Sequence, residues 1–309
     1  MTTRVGPPAE APSQERRRGS VPRQRHRQLT RRAWRQVRRF LATNRSGAIG
    51  AAIVGAYVAV AVLAPLLAPH PPTEVFPQAI DAAPSSRFWF GTDGNGMDVF
   101  SRTLFAAQVD LPIALTAVVS SLVVGTAIGL VAGYRGGWAD LLMLRSMDVL
   151  QAFPVLILAL AVVAATQQSI VAVVAVIALV DTPIYARLTR AEALHIREST
   201  YVESARSVGN PDWRILLRHV LPNAVPPVLI QSSIRLSWAV KITASLAFVG
   251  VGIQVPTPEW GAMIRAGAGE VASGHWWASV FPGVALLVLA LGFNLLADGL
   301  QEHLGRRDA

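Results

Sequence analysis

Cysteine is absent from the 309 residues, which excludes a disulfide framework and any thiolate metal site. Lysine occurs once, as Lys241, and no G-x-x-x-x-G-K-[ST] run exists, so the chain cannot build a phosphate-cradling loop for a nucleotide. Charged residues make up only 15%, against about 25% in an ordinary soluble domain. The six histidines are scattered without metal-ligand spacing, and no nucleophile–base pairing stands out. DGNGMD (93–98) has the look of a calcium loop, but Met97 takes a ligand position and no Glu stands twelve residues from Asp93. A Gly-rich turn held by aspartate side chains is the better reading. These absences argue against an enzyme and against a bound cofactor or metal.

What is abundant is apolar. Hydrophobic residues reach 52% and mean hydropathy is +0.42. Six stretches have the length and composition of membrane spans: 48–68, 111–133, 141–165, 169–187, 224–250 and 280–298. At ~1.5 Å per residue the first covers ~31 Å, one hydrocarbon thickness. Ala, Val, Leu and Gly dominate these spans, as expected where helices pack through small residues. The lipid bilayer is the expected solvent.

The formal charge of +9 could suggest nucleic acid, but its distribution argues otherwise. Thirteen of the 28 Lys and Arg precede residue 46, a basic arm abutting a hydrophobic span, as at an anionic inner leaflet. With the N-terminus inside, 23 basic residues fall on the cytoplasmic side and only Arg87, Arg102 and Arg265 outside. The positive-inside rule then makes both termini and 188–223 cytoplasmic, with 69–108 and 251–279 outward. Residues 1–44, rich in Pro, Arg, Gln and Ser, read as disordered.

One polar passage interrupts the apolar spans: STYVESARSVGNPDWRILLRHVLPN, 199–223. Tyr201, Ala205 and Val208 recur at helical spacing. Gly209 suits a left-handed helix end, Asn210 suits an N-cap and Pro211 a first helical position. A second short helix would carry Trp213, Leu216, Leu217 and Val220 on one face and stop at Pro222. Such a helix pair is either a connection lying on the membrane surface or a docking knob for a soluble partner. The connection far exceeds the about 2–8 residues usual between packed helices.

Glu203-Ser204-Ala205, Gly209 and Leu221-Pro222 resemble the E-A-A…G…L-P cytoplasmic loop of ABC importer permeases, with Ser204 in place of the first alanine. GTDGNGMDVFSR (91–102) is similar to the outer G-T-D-x-x-G-R-D-V-x-S-R segment of dipeptide/oligopeptide permeases. GYRGGWADLLMLRSMDVLQAFP (133–154), SLAFVGVGIQVPTPEWGAMI (245–264) and FPGVALLVLALGFNLLADGL (281–300) resemble further segments of that family, in its C-type subunit. The resemblance spans about residues 45–305. It implies an all-α membrane protein of six transmembrane helices with the type I ABC importer permease fold, in a bacterial cytoplasmic membrane. It also implies a second permease, two ATP-binding subunits that supply the energy, and an extracellular binding protein delivering peptide. Tyr201, Glu203, Ser204, Ala205, Gly209, Leu221 and Pro222 would couple to the ATPase. Gly91, Thr92, Asp93 and Asp98 would order the outer segment, with Trp89 and Phe90 at the bilayer surface. Met97, Gln108, Asp110, Thr243 and Ala247 depart from the family pattern, which loosens the inference on cargo. Nickel chelates, haem or oligosaccharides are alternative cargoes, and an ion-coupled carrier using Asp181 is the alternative of another class.

Charges inside spans normally face a partner or a cavity. Depth matching at ~1.5 Å per residue pairs Arg235 with Asp181 and Lys241 with Asp110. Both cations are candidates for a translocation path.

Overall fold

The structure is a computed structural model that describes residues 44–305 except 167, 168 and 254. The basic N-terminal arm and Arg306–Arg307 therefore lie outside the described residues. All regular structure there is helical, and the one extended contact is an isolated bridge between Thr92 and Asp98. The helices are α1 Arg45–Leu67, α2 Val99–Arg135, α3 Gly137–Ala152, α4 Val155–Ala165, α5 Ile170–Arg197, α6 Thr200–Ser207, α7 Asp212–Ile215, α8 Leu221–Val249, α9 Trp260–Ala268 and α10 Trp277–Gly305. A π turn, Leu216–Val220, joins α7 to α8.

α1, α2, α5 and α10 are long and apolar enough to cross a membrane, and the α3–α4 pair makes a fifth if counted as one broken span. α8 is 29 residues long but interrupted by Arg235 and Lys241, and it falls below the apolarity of those four. The expected continuous span 141–165 is corrected: α3 and α4 meet at 83°. Pro154 causes the break, because its ring forces Phe153 into extended backbone (φ −86°, ψ 131°) and it offers no N–H to continue the ladder. The helix α9 inside 251–279 was not foreseen.

The bundle is centred on α2 against α5, its most extensive helix contact. GTAIGLVAG places Gly125, Gly129 and Gly133 on one stripe of α2. A Cβ at these positions would lie 2.6 Å from Thr182 O, 2.2 Å from Ala186 O and 2.7 Å from Arg190 O. Backbone thus meets backbone across the small-xxx-small surface that packs helices in lipid. Gly129→Leu is expected to cost about 3 kcal/mol or more through overpacking. The check is the yield of folded protein from membranes, which should collapse relative to an exposed control such as Val171→Leu.

Candidate functional site

α6 and α7 stand on a small core of their own. Val202 and Ala205 from α6, Ile215 and Val220, and Ala224 of α8 pack against Leu130 and Tyr134 of α2 and Ala193 and Ile196 of α5. The buried stripe of α6 is therefore Val202–Ala205, which corrects the expected Tyr201–Ala205–Val208 face. Tyr201 and Val208 point outward instead. In the second helix Ile215 and Val220 are buried and Leu216 packs partly against them, while Trp213 and Leu217 are exposed, so the expected face holds at Leu216 and Val220 and fails at Trp213 and Leu217. The module thus presents Tyr201, Val208, Trp213 and Leu217 on its outer surface, 44% to 80% exposed. Glu203 and Ser204 lie on the exposed side as well, and the Ser204 hydroxyl donates to Thr200 O at 2.8 Å. Ala205 faces inward, where its small side chain admits the core.

Gly209 has φ +77°. Its N–H donates to Arg206 O and that of Asn210 to Ala205 O, the paired bonds of a Schellman helix end. Asn210 belongs to this stop rather than to the next start: its side-chain amide also donates to Ala205 O at 3.0 Å. Nor does Pro222 end the second helix. Leu221 N–H donates to Leu216 O five residues back, and this wider π turn relieves the clash of the Pro222 ring with the preceding turn. α7 consequently runs on into α8 through Leu216–Val220 without a break. Leu221 packs partly against the module core and Pro222 is exposed.

Tyr134, at the end of α2, was missed in the sequence as an anchor. Its hydroxyl donates to Asp212 Oδ1 at 2.8 Å and accepts from Arg206 Nη2 at 3.2 Å, while the Arg206 guanidinium lies over its ring at 5.6 Å. The GYRGG segment that carries it was legible only as a family feature. Tyr134→Phe should keep the core but release both polar tethers, at about 1 kcal/mol for each net hydrogen bond. The expected readout is a partial loss of transport at normal assembly.

Two further groups sit on the bundle. Arg235 Nη1 lies 3.4 Å from Asp181 Oδ1, with Asp181 fully buried and the Arg235 side chain 19% exposed, and the guanidinium also approaches the Trp238 ring at 5.8 Å. This is the pairing that depth matching predicted. The Lys241–Asp110 pair does not form. Asp110 Oδ2 instead accepts from Trp260 N at 3.2 Å, because α9 packs backbone to backbone on α8: a Cβ on Gly261 would be 2.2 Å from Ala244 O. Glu259, fully buried, caps α9 by accepting from Gly261 N and Ala262 N, and burial pushes its carboxyl above the usual range. Lys241 is on the exposed face of α8.

The 91–102 segment is tied by its own polar groups. Thr92, buried, donates to Ala79 O and its carbonyl accepts from Trp277 Nε1 at 3.0 Å. Gly91 takes φ +73° close against that indole. Asp93 Oδ1 accepts from Asn95 N and Met97 N, and Asp98 caps α2 through Ser101 N at 3.0 Å. Arg102, buried, lies 3.6 Å from Asp93 and donates to Pro72 O and Pro256 O, bridging two outlying loops. Burial pushes the Asp93 carboxyl up despite these donors. Phe90 stacks on Phe281 at 3.9 Å, and Trp89 leans on Phe100 while remaining exposed.

An amino acid ABC transporter with histidines matches at TM-score 0.50 and 16% identity, over 68% of this chain and 95% of that one, a likeness of fold. Residues 125–307 match the binding-protein-dependent transport system inner membrane components, and 32–84 match the N-terminal TM domain of oligopeptide transport permease C. The dipeptide transport system permease protein DppC of Alkalihalophilus pseudofirmus is 36% identical over 88% of this chain and 89% of that protein. The glutathione transport system permease protein GsiD of Pectobacterium atrosepticum is 39% identical over 88% and 90%. The probable D,D-dipeptide transport system permease protein DdpC of Escherichia coli is 38% identical over 79% and 81%. The chain belongs to the family of binding-protein-dependent transport system inner membrane components. It is a permease component of an ABC transport system rather than an enzyme, which supersedes the ion-coupled carrier built on Asp181.

Proposed function

We propose that this chain is the C-type permease subunit of an ATP-driven importer of di- and oligopeptides in a bacterial cytoplasmic membrane. It forms the translocation path with a second, homologous permease, receives peptide from an extracellular binding protein and is driven by two ATP-binding subunits. The observation that carries this reading is the module surface: Tyr201, Val208, Trp213 and Leu217 stand exposed on a knob whose own core is filled from α2, α5 and α8. A connection resting on lipid would need no such independent core. Docking in an ATPase groove would cover the four side chains, and the unbroken α7–α8 passage would carry closure of the ATPases into the bundle. The named relatives support peptide cargo.

In this reading the chain crosses the membrane six times, with the α3–α4 pair and α8 completing the count, both termini inside and 69–108 outside. Lys241 then faces the path at a depth where an exposed ammonium needs polar company from beyond this chain, and Arg235 and Asp181 brace the helices behind it. Uptake of a labelled dipeptide by the reconstituted complex, dependent on ATP and the binding protein, tests the cargo. Uptake that only a nickel chelate, haem or oligosaccharide competes would overturn it. Single thiols at Ser85 and Asn95, both exposed, test the topology, because the chain has no cysteine to compete. Ser85→Cys and Asn95→Cys should be labelled by an impermeant maleimide from outside only. Labelling solely from the cytoplasm would invert the arrangement.

A further inference from the structure

Away from the module and the buried charges, segment 69–98 meets the turn between α9 and α10 at a mixed cluster of metal-ligating groups. Asp81, Glu270 and His275 each turn one ligand atom to a common point, and the three atoms lie within 4.8 Å of one another. Local backbone brings the last two together: a 3-10 turn, Val271–Ser273, ends at Gly274 with φ +92°, and His275 N–H donates to Glu270 O at 3.0 Å. Asp81 arrives from the other side, its N–H held by Asp93 O at 3.2 Å.

Two of these groups lack the partners that buried polar atoms normally have. Asp81 Oδ1 and His275 Nδ1 are both shielded from solvent and make no hydrogen bond. The nearest carboxylate oxygen to that imidazole nitrogen, Glu270 Oε2, is 3.9 Å away, too far for one. Oxygens of Asp81 and Glu270 both border the space beside Gly94, each 3.6 Å from where a Cβ would stand. Two carboxylates therefore converge on one space beside the imidazole.

We propose that Asp81, Glu270 and His275 hold one divalent transition-metal ion of the zinc class, pinning segment 69–98 to the α9–α10 turn. One imidazole nitrogen with two carboxylate oxygens suits zinc, whereas calcium takes six to eight oxygens. In a chain without cysteine, a metal is the cross-link left to a loop-rich segment. The wild-type transporter, stripped with EDTA in lipid nanodiscs and reloaded with zinc chloride, should retain one more zinc per complex than His275→Ala. Asp81→Asn should weaken zinc binding at least tenfold, and zinc should raise the Tm of the wild type but not of either variant. Equal zinc content in wild type and variants would overturn the site, as would filling by calcium but not zinc. Should the variants fail to assemble, the wild type decides alone: a rise in Tm with zinc, reversed by EDTA, is required, and no rise refutes the proposal.

Discussion

Gly209→Val will stop transport without dismantling the protein. The glycine holds φ +77°, a region where a β-branched residue is strained by ~1–3 kcal/mol. Nothing lies within 4 Å of a Cβ built there, so the cost falls on the Schellman turn alone and not on packing. At ~2 kcal/mol the native turn loses a factor of about 30 in population, and with it the alignment of α6 against α7. Expected is normal membrane assembly with transport reduced more than tenfold. Gly209→Asn, which tolerates the left-handed region, should keep much of the activity. Wild-type import by an assembled Gly209→Val transporter would refute the role of this turn.

Arg235→Met will act differently, by destabilising the bundle. Asp181 is fully buried and Arg235 is its ion-pair partner. Removing one member of a buried pair strands the other, at about 3–5 kcal/mol. The single variant should therefore lose assembly, and Arg235→Met with Asp181→Leu should recover it, since neither charge is then left alone. Lys241→Met makes the contrast. Its side chain is exposed on α8, so assembly should survive while transport falls. If Arg235→Met assembles normally and only transport fails, Arg235 belongs to the path after all; if Lys241→Met transports normally, Lys241 does not.

These contrasts follow how the fold could and could not be read from sequence. The apolar runs of α1, α2, α5 and α10 announce themselves because lipid tolerates little else. The Arg235–Asp181 pair followed from helical rise alone, since both groups sit well inside long helices. Lys241–Asp110 failed because depth says nothing of azimuth: Lys241 lies on the far face of α8, and Asp110 is taken by a helix, α9, whose PTPEWGAMI start reads locally as a loop. The glutamate that caps α9 is itself buried against Asp110, a tertiary fact with no local signal. The faces of α6 and α7 were only half legible for a related reason: Ala205, Leu216 and Val220 do face the core, but the larger residues expected beside them do not. Periodicity assigns large apolar residues to the core, but a docking surface is also apolar, and here Val202 and Ile215 fill the core while Tyr201 and Trp213 remain outside. Pro154 and Pro222 carried opposite outcomes that depend on whether a π turn stands before the ring.

The most direct test of the account is a single thiol at Val208, the most exposed of the four apolar side chains on the module surface at 80%. With no other cysteine in this chain, Val208→Cys in the assembled transporter should form a bifunctional cross-link to an ATP-binding subunit, at a yield that changes on adding ATP. Full modification of that thiol by an impermeant maleimide in the intact complex, with no adduct to the ATPase in any nucleotide state, would contradict it.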